Sequence, residues 1–186
     1  MKKKFFNATI YRNNSASEIV VENGKISQIG TNLPKCEEEI DLKGKLVMPP
    51  YVDPHLHLDY VYTLSELGQE GAGSGTLFEA IELWPKFKET LTVESVKRLA
   101  LKGVKDEVSQ GVQHIRTHID VTDPNFTALK AMLEMKEDLK HIVDIQIVAF
   151  PQQGMYTYKG GLELVEEALK MGADIVGGIP HYEPAR

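Results

Sequence analysis

One cysteine, Cys36, stands among 186 residues, so no disulfide can form within the chain. A reducing, cytoplasmic setting is the default expectation. Long apolar runs are missing too: no stretch approaches the ~20 residues that cross a bilayer. The start, Met1-Lys2-Lys3-Lys4-Phe5-Phe6, opens like a secretory leader, but Asn7, Tyr11, Arg12, Asn13 and Asn14 follow at once. That ends the run short of the ~7–15 apolar residues a leader needs, and a first strand with a solvated basic end is the better reading. Positive charge is in deficit, with Lys+Arg 21 against Asp+Glu 27 and a net charge of −6. This excludes bulk attraction to nucleic acid, and Lys2–Lys4 is too short for a polybasic membrane patch. Low-complexity tracts and repeats are absent. What is there, 42% hydrophobic and 26% charged residues, is ordinary globular composition.

The chain has two rhythms. Up to about residue 48 it reads as short strands forming a small antiparallel β-sandwich segment: Phe6–Tyr11, Ser17–Glu22 and Lys25–Ile29. Asn23-Gly24 supplies a two-residue hairpin turn. Ile26 and Ile29 break the alternation, which suggests a bulge or a strand end. From residue 49 strands and helices alternate. Leu46–Asp53 leads to a Gly-rich loop (Gly68, Gly71, Gly73, Gly75) and then to a helix starting near Thr76, where Thr76 and Glu79 have capping-box spacing. A second helix spans Val93–Gln110, with Val93, Val96, Ala100, Val104 and Val108 on one face and Gly111 as its stop. Strand Val112–Ile119 follows. Asp123-Pro124 then reads as the start of a helix running to Lys140. Strand Ile142–Phe150, a helix opened at Gly160-Gly161 and closed at Gly172, and strand Asp174–Ile179 complete the series. This is an α/β pattern of βαβ units around a parallel sheet. A closed eight-stranded β/α barrel takes ~250 residues and rarely fewer than ~200, so the chain is too short for one.

Chemistry-bearing residues cluster after the strands. In Pro49-Pro50-Tyr51-Val52-Asp53-Pro54-His55-Leu56-His57-Leu58-Asp59, strand alternation puts His55 and His57 on one face. Two imidazoles at the carboxyl end of a parallel strand suit a divalent metal ion; a chance His-x-His pair is the alternative. In His114–Asp120, alternation puts His114, Arg116, His118 and Asp120 on one face and Ile115 and Ile119 on the other. Parallel strands are ordinarily apolar on both faces. Such a polar face marks either a site or a self-satisfied network. Gln152, in Phe150-Pro151-Gln152-Gln153-Gly154, carries an amide suited to the edge of a heterocycle, or is plain loop polarity. His181 and Glu183 follow the last strand. Trp84 and Phe87 read as core, and Cys36, in an acidic loop, has no assigned role.

The Pro49–Asp59 segment resembles the first-strand metal motif of the amidohydrolase superfamily. Ser74–Glu79, Gln113–Asp120, Gln146–Gln152 and Gly178–Glu183 resemble bacterial cytosine deaminases, in the right order along the chain. The resemblance implies the N-terminal part of a TIM (β/α)8-barrel, about four βα units over residues 49–186, preceded by the β-sandwich segment of residues 1–48. It implies one Fe²⁺ or Zn²⁺ ion with His55 and His57 as its first ligands, and Gln152 reading a pyrimidine edge. His118, Asp120, His181 and Glu183 would be supporting residues. The implied reaction is hydrolysis at the ring carbon bearing an amino group, from cytosine and water to uracil and ammonia. Triazines and other cyclic amidines are alternative substrates. Zinc deaminases of the Pro-Cys-x-x-Cys kind need more than one cysteine and are excluded. The family's acid/base residues lie on later strands, beyond Arg186. No catalytic acid or base is therefore assigned here, and the chain is expected to be inactive alone. Self-association, as a homo-oligomer or with a complementary chain, is expected from exposed strand edges.

Overall fold

The structure is a computed structural model that describes residues 1–66 and 76–184. The Gly-rich loop read from the sequence lies outside the described residues. The chain divides into two compact units, Met1–Pro49 and Pro50–Arg186.

The first unit is built from β1 (Lys2–Phe6), β2 (Thr9–Ile10), β3 (Glu18–Glu22), β4 (Lys25–Gly30), β5 (Glu38–Asp41) and β6 (Leu46–Val47). Its main sheet has the order β4-β3-β1-β5, and β2 pairs with β6. The hairpin turn is where the sequence places it: Asn23 and Gly24 both take positive φ, 51° and 77°, between β3 and β4. A bulge follows, because Val20 pairs with Gln28 and Val21 with Ile26. Two expectations fail. The sheet is mixed, since β5 runs parallel to β1. The first strand begins at Lys2 and is broken at Asn7, whose φ is 54°. Both have one cause. Parallel pairing brings the acidic run Glu38-Glu39 beside the lysine run, so Lys3 meets Glu38 at 2.9 Å and Lys4 meets Glu39 at 2.8 Å. The basic start is a set of cross-strand ion pairs, with Lys4 buried, rather than a solvated end.

In the second unit, β7 (Tyr51–Leu56) is followed by α1 (Leu77–Lys88), α2 (Val93–Ser109), β8 (Val112–Asp120), α3 (Thr127–Leu139), β9 (Asp144–Phe150), α4 (Gly161–Met171) and β10 (Ile175–Val176). The four strands are parallel in the order β10-β9-β8-β7, each beside its neighbour in sequence. Thr76 caps α1 by accepting from Glu79 N, and Thr92 and Ser95 form a reciprocal capping box on α2. The helix expected from Asp123-Pro124 starts later, at Thr127. Asp123 Oδ1 accepts from Asn125 N and Oδ2 from Thr127 N, so its carboxylate closes a turn ahead of the helix.

The core lies between the sheet and its helices. Ile115, Thr117 and Ile119 of β8 and Ile145, Ile147 and Ala149 of β9 are buried with Val96, Ala100 and Val104 of α2 and Leu129, Met132 and Met135 of α3. Strand alternation sends His114, Arg116, His118 and Asp120 to the opposite face. There the parallel register pairs like with like: His114 meets Asp144 at 3.4 Å, and Arg116 Nε donates to Gln146 Oε1 at 2.6 Å.

Candidate active site

The carboxyl end of β7 is anchored before any chemistry begins. Leu58 N donates to Thr117 Oγ1 of β8 at 2.9 Å, and Leu58 itself is fully buried. The backbone carbonyl of His57 accepts from Tyr60 N and Val61 N, turning the chain away from the sheet. The turn leaves three imidazoles together. The ring centroids of His55 and His57 are 5.4 Å apart, His118 of β8 lies 5.4 Å from His57, and His118 stacks on His55 at 4.1 Å. Tyr60 stacks on His57 at 4.9 Å, and Phe150 presents an edge to it at 5.5 Å.

Electrostatics favour the neutral form of His57 and His118. Burial, followed by the neighbouring His118 and His55, brings the His57 pKa down to about 4. Burial and then His55 lower that of His118. Neutral imidazole keeps the lone pair that a metal ligand needs. Among the described residues, His57 Nδ1 and His118 Nδ1 are buried without hydrogen-bond partners, as are Asp59 Oδ1 and Tyr60 OH. The carbonyl of His118 approaches the His57 ring and opposes its shift, without reaching hydrogen-bond geometry. Burial raises the Asp59 carboxyl well above the usual carboxylate range, with the Asp120 amide opposing it.

Asp120 lies beneath the histidines and is almost wholly buried. Its Oδ2 accepts from Trp84 Nε1 at 2.7 Å and Lys88 Nζ at 3.0 Å, and its Oδ1 from Thr122 N at 2.8 Å and Thr122 Oγ1 at 2.6 Å. Lys88 Nζ also reaches the Thr122 carbonyl at 2.6 Å, Thr122 Oγ1 at 2.9 Å and Gln153 Oε1 at 2.7 Å. The last turn of α1 is thus fastened to the ends of β8 and β9. Gln152 N lies 3.4 Å from Asp120 Oδ1. The Gln152 side chain lines a cavity of about 180 Å³ with Ile81, Pro85, Gln153 and Tyr182.

The structure therefore brings His55, His57 and His118 together, with Asp120 below them and Gln152 on the adjoining strand end. His181 and Glu183 make contacts of their own. The His181 ring packs on Tyr182, and the Glu183 carboxylate accepts from Met155 N and Tyr156 N, fastening the loop after β9. Sequence reasoning missed Lys88, Thr122, Asp59 and Tyr60. Trp84 is in the core as read, yet its indole N–H serves the site. Only Asp59 carried a local signal, as a third polar residue at the same two-residue spacing as the histidines.

Residues 38–186 match the amidohydrolase family. This chain belongs to the amidohydrolases. It is 35% identical over 177 residues to the N-isopropylammelide isopropyl amidohydrolase of Pseudomonas sp. (strain ADP), covering 93% of this chain and 44% of that protein. Among solved structures it resembles 5-methylcytosine deaminase from Klebsiella pneumoniae liganded with 5-fluorocytosine. That match has 42% identity and a TM-score of 0.88, over 98% of this chain and 45% of that one. The N-isopropylammelide isopropylaminohydrolase from Burkholderia multivorans matches at 26% identity and a TM-score of 0.78, over 95% and 44%. The chain thus spans a little under half the length of these amidohydrolases. Its four consecutive βα-connected strands are the partial TIM barrel that the sequence resemblance implied. Among the described residues, no helix is long and apolar enough to cross a membrane.

Amidohydrolases use a divalent metal ion. His55 and His57 fit it as two imidazole donors held side by side at the carboxyl end of β7. Among the described residues no three His, Cys, Asp or Glu groups converge on one ion. His118 stacks against His55, so the ring planes run near-parallel, at 21°, and their lone pairs do not meet.

Proposed function

We propose that this chain carries the metal-binding and substrate-reading part of a hydrolytic deaminase of the cytosine deaminase type, acting on cytosine and water to give uracil and ammonia. His55 and His57 hold an Fe²⁺ or Zn²⁺ ion. When bound, the ion supplies Lewis acidity that makes water a nucleophile near neutral pH. Gln152 presents an amide that both donates and accepts, matching the edge of a pyrimidine ring. Asp120, held by Lys88 and Trp84, keeps the ends of β8 and β9 at fixed separation. The supporting observation is the pair of adjacent imidazoles at the carboxyl end of β7, where active sites of such barrels lie, with His57 held neutral by burial.

No residue in this chain is assigned as acid or base, so the polypeptide of residues 1–186 is proposed to bind metal without turnover. The test is Zn²⁺ binding by calorimetry together with ammonia release from cytosine. Wild-type chain takes up Zn²⁺, while His55→Ala and His57→Ala lose that uptake. Rapid ammonia release by the purified chain contradicts the proposed division of labour.

A second substrate class, triazines, is favoured by the 35% identity to the N-isopropylammelide isopropyl amidohydrolase of Pseudomonas. Saturation-transfer NMR on Zn²⁺-loaded chain separates the two. Under the cytosine reading, cytosine gives a signal that Gln152→Leu abolishes and N-isopropylammelide gives none. The reverse pattern selects the triazine reading.

A further inference from the structure

The second histidine of the β7 pair has a buried carboxyl behind it. His57 Nδ1 and Asp59 Oδ1 are both buried, both lack hydrogen-bond partners among the described residues, and lie 3.9 Å apart. Leaving either atom unsatisfied is costly, and each is the kind of partner the other needs. The remainder of Asp59 is pinned, since its Oδ2 accepts from Asp120 N at 2.8 Å. Asp120 is pinned in turn by Lys88 and Trp84. The faces of the His57 ring are set by Tyr60 and Phe150. Packing thus fixes the ring plane, and what remains to be chosen is which nitrogen is committed inward.

We propose that Asp59 is a positioning residue for His57: with a divalent cation on Nε2, the Nδ1–H of His57 donates to Asp59 Oδ1. This rests on the reading that His55 and His57 hold the metal. Closing the gap needs a movement of about 1 Å, to reach ordinary hydrogen-bond distance. A carboxylate behind a metal-binding imidazole orients the ring and fixes its tautomer, and losing such a partner costs ~10–100-fold in metal affinity. The rival partner for Nδ1 is the His118 carbonyl, which lies near the same ring.

The test uses the chain with ¹⁵N-labelled histidine and Zn²⁺ as the probe. In metal-free wild type, a hydrogen-bonded proton on the His57 Nδ1 side resonates far downfield. It moves upfield in Asp59→Asn, whose amide oxygen still accepts from Asp120 N. Zn²⁺ affinity, measured by chelator competition, falls ~10–100-fold in that variant, while Trp84 fluorescence and the remaining spectrum stay as in wild type. A downfield proton that survives Asp59→Asn makes the His118 carbonyl the partner and overturns the inference, as does unchanged Zn²⁺ affinity. Should Asp59→Asn fail to fold, the zinc-loaded wild type decides. Coordination through Nε2 with Nδ1 protonated supports the inference, and coordination through Nδ1 overturns it. Wild type that takes up no Zn²⁺ removes the metal reading, and the metal-free Nδ1 proton then still reports on the His57–Asp59 hydrogen bond by itself.

Discussion

Lys88 and Asp120 form an ion pair of 3.0 Å whose side chains are 11% and 2% exposed, linking the last residue of α1 to the last residue of β8. A pair this buried is worth little over a well-packed apolar pair, but removing one partner strands the other charge. Lys88→Met keeps the aliphatic stem and leaves Asp120 without its cation. The expected loss is ~3–5 kcal/mol of unfolding free energy, read by urea denaturation. Adding Asp120→Asn recovers part of it, because the stranded charge is then gone. Equal stability of Lys88→Met and wild type would refute the pairing.

Trp84 is the one tryptophan of the chain, and its indole N–H donates to Asp120 Oδ2 at 2.7 Å while its ring lies 3.8 Å from that of Tyr60. Trp84→Phe retains much of the ring contact and deletes the donor. Hydrogen bonds to charged groups contribute ~1.5–3 kcal/mol, and a destabilisation of that size is expected by circular dichroism. Its effect and that of Lys88→Met do not add, because both act on one carboxylate oxygen.

Local signals were legible in the sequence wherever the partners are near in sequence or the spacing is periodic. Asn23-Gly24 makes the turn it suggests. Thr76 and the valine stripe of α2 do what capping and the 3.6-residue period require. The alternation of His114 to Asp120 separates core from polar face as read. Long-range pairing was not legible. Lys2–Lys4 looked like a solvated end because Glu38 and Glu39 lie some 35 residues away in sequence, and only the parallel return of β5 brings them alongside. Lys88 carried no signal at all, since its partners Asp120, Thr122 and Gln153 are 32, 34 and 65 residues distant. Asp123-Pro124 misled for another reason: its carboxylate does accept from Thr127 N, the first donor of α3, but a turn comes between Asp123 and the helix.

Gly161 opens α4 in a place with no room for a side chain. A Cβ there would lie 2.6 Å from the Met155 carbonyl oxygen and 2.8 Å from that of Gly154. Both are backbone atoms of the segment that follows Gln152 and Gln153, so relief requires that segment to move. Gly161→Ala is expected to destabilise the chain by ~1–3 kcal/mol, the usual cost of overpacking. Gly160→Asn is the control. Gly160 has φ 78° and open space around it, and asparagine tolerates that conformation better than most residues. Comparable losses in both variants would mean that backbone conformation, rather than crowding, is limiting.

The pH dependence of stability follows from His57 and Asp59, which pull in opposite directions. His57 has its pKa brought down to about 4 in the folded chain, against ~6.5 for a free imidazole. Between those values the unfolded chain binds a proton that the folded chain does not. This contribution is therefore complete above pH ~6.5 and is lost as pH falls toward ~4, by ~3 kcal/mol at 1.36 kcal/mol per pKa unit. His118, also lowered, adds to the same slope. Asp59, raised by burial, keeps a proton that the unfolded chain releases above ~4, so its contribution is present at low pH and lost as pH rises. In wild type the Asp59 slope opposes that of His57. Asp59→Asn removes one of them. The lowering of His57 survives the substitution, because it comes from burial and from His118 and His55. Urea unfolding from pH ~4 to ~7 is therefore expected to give a profile that rises by ~3 kcal/mol for Asp59→Asn and more gently for wild type. A flat profile in the variant would mean that His57 titrates near its ordinary value in the folded chain, and the argument for a desolvated, neutral imidazole at this position would fail.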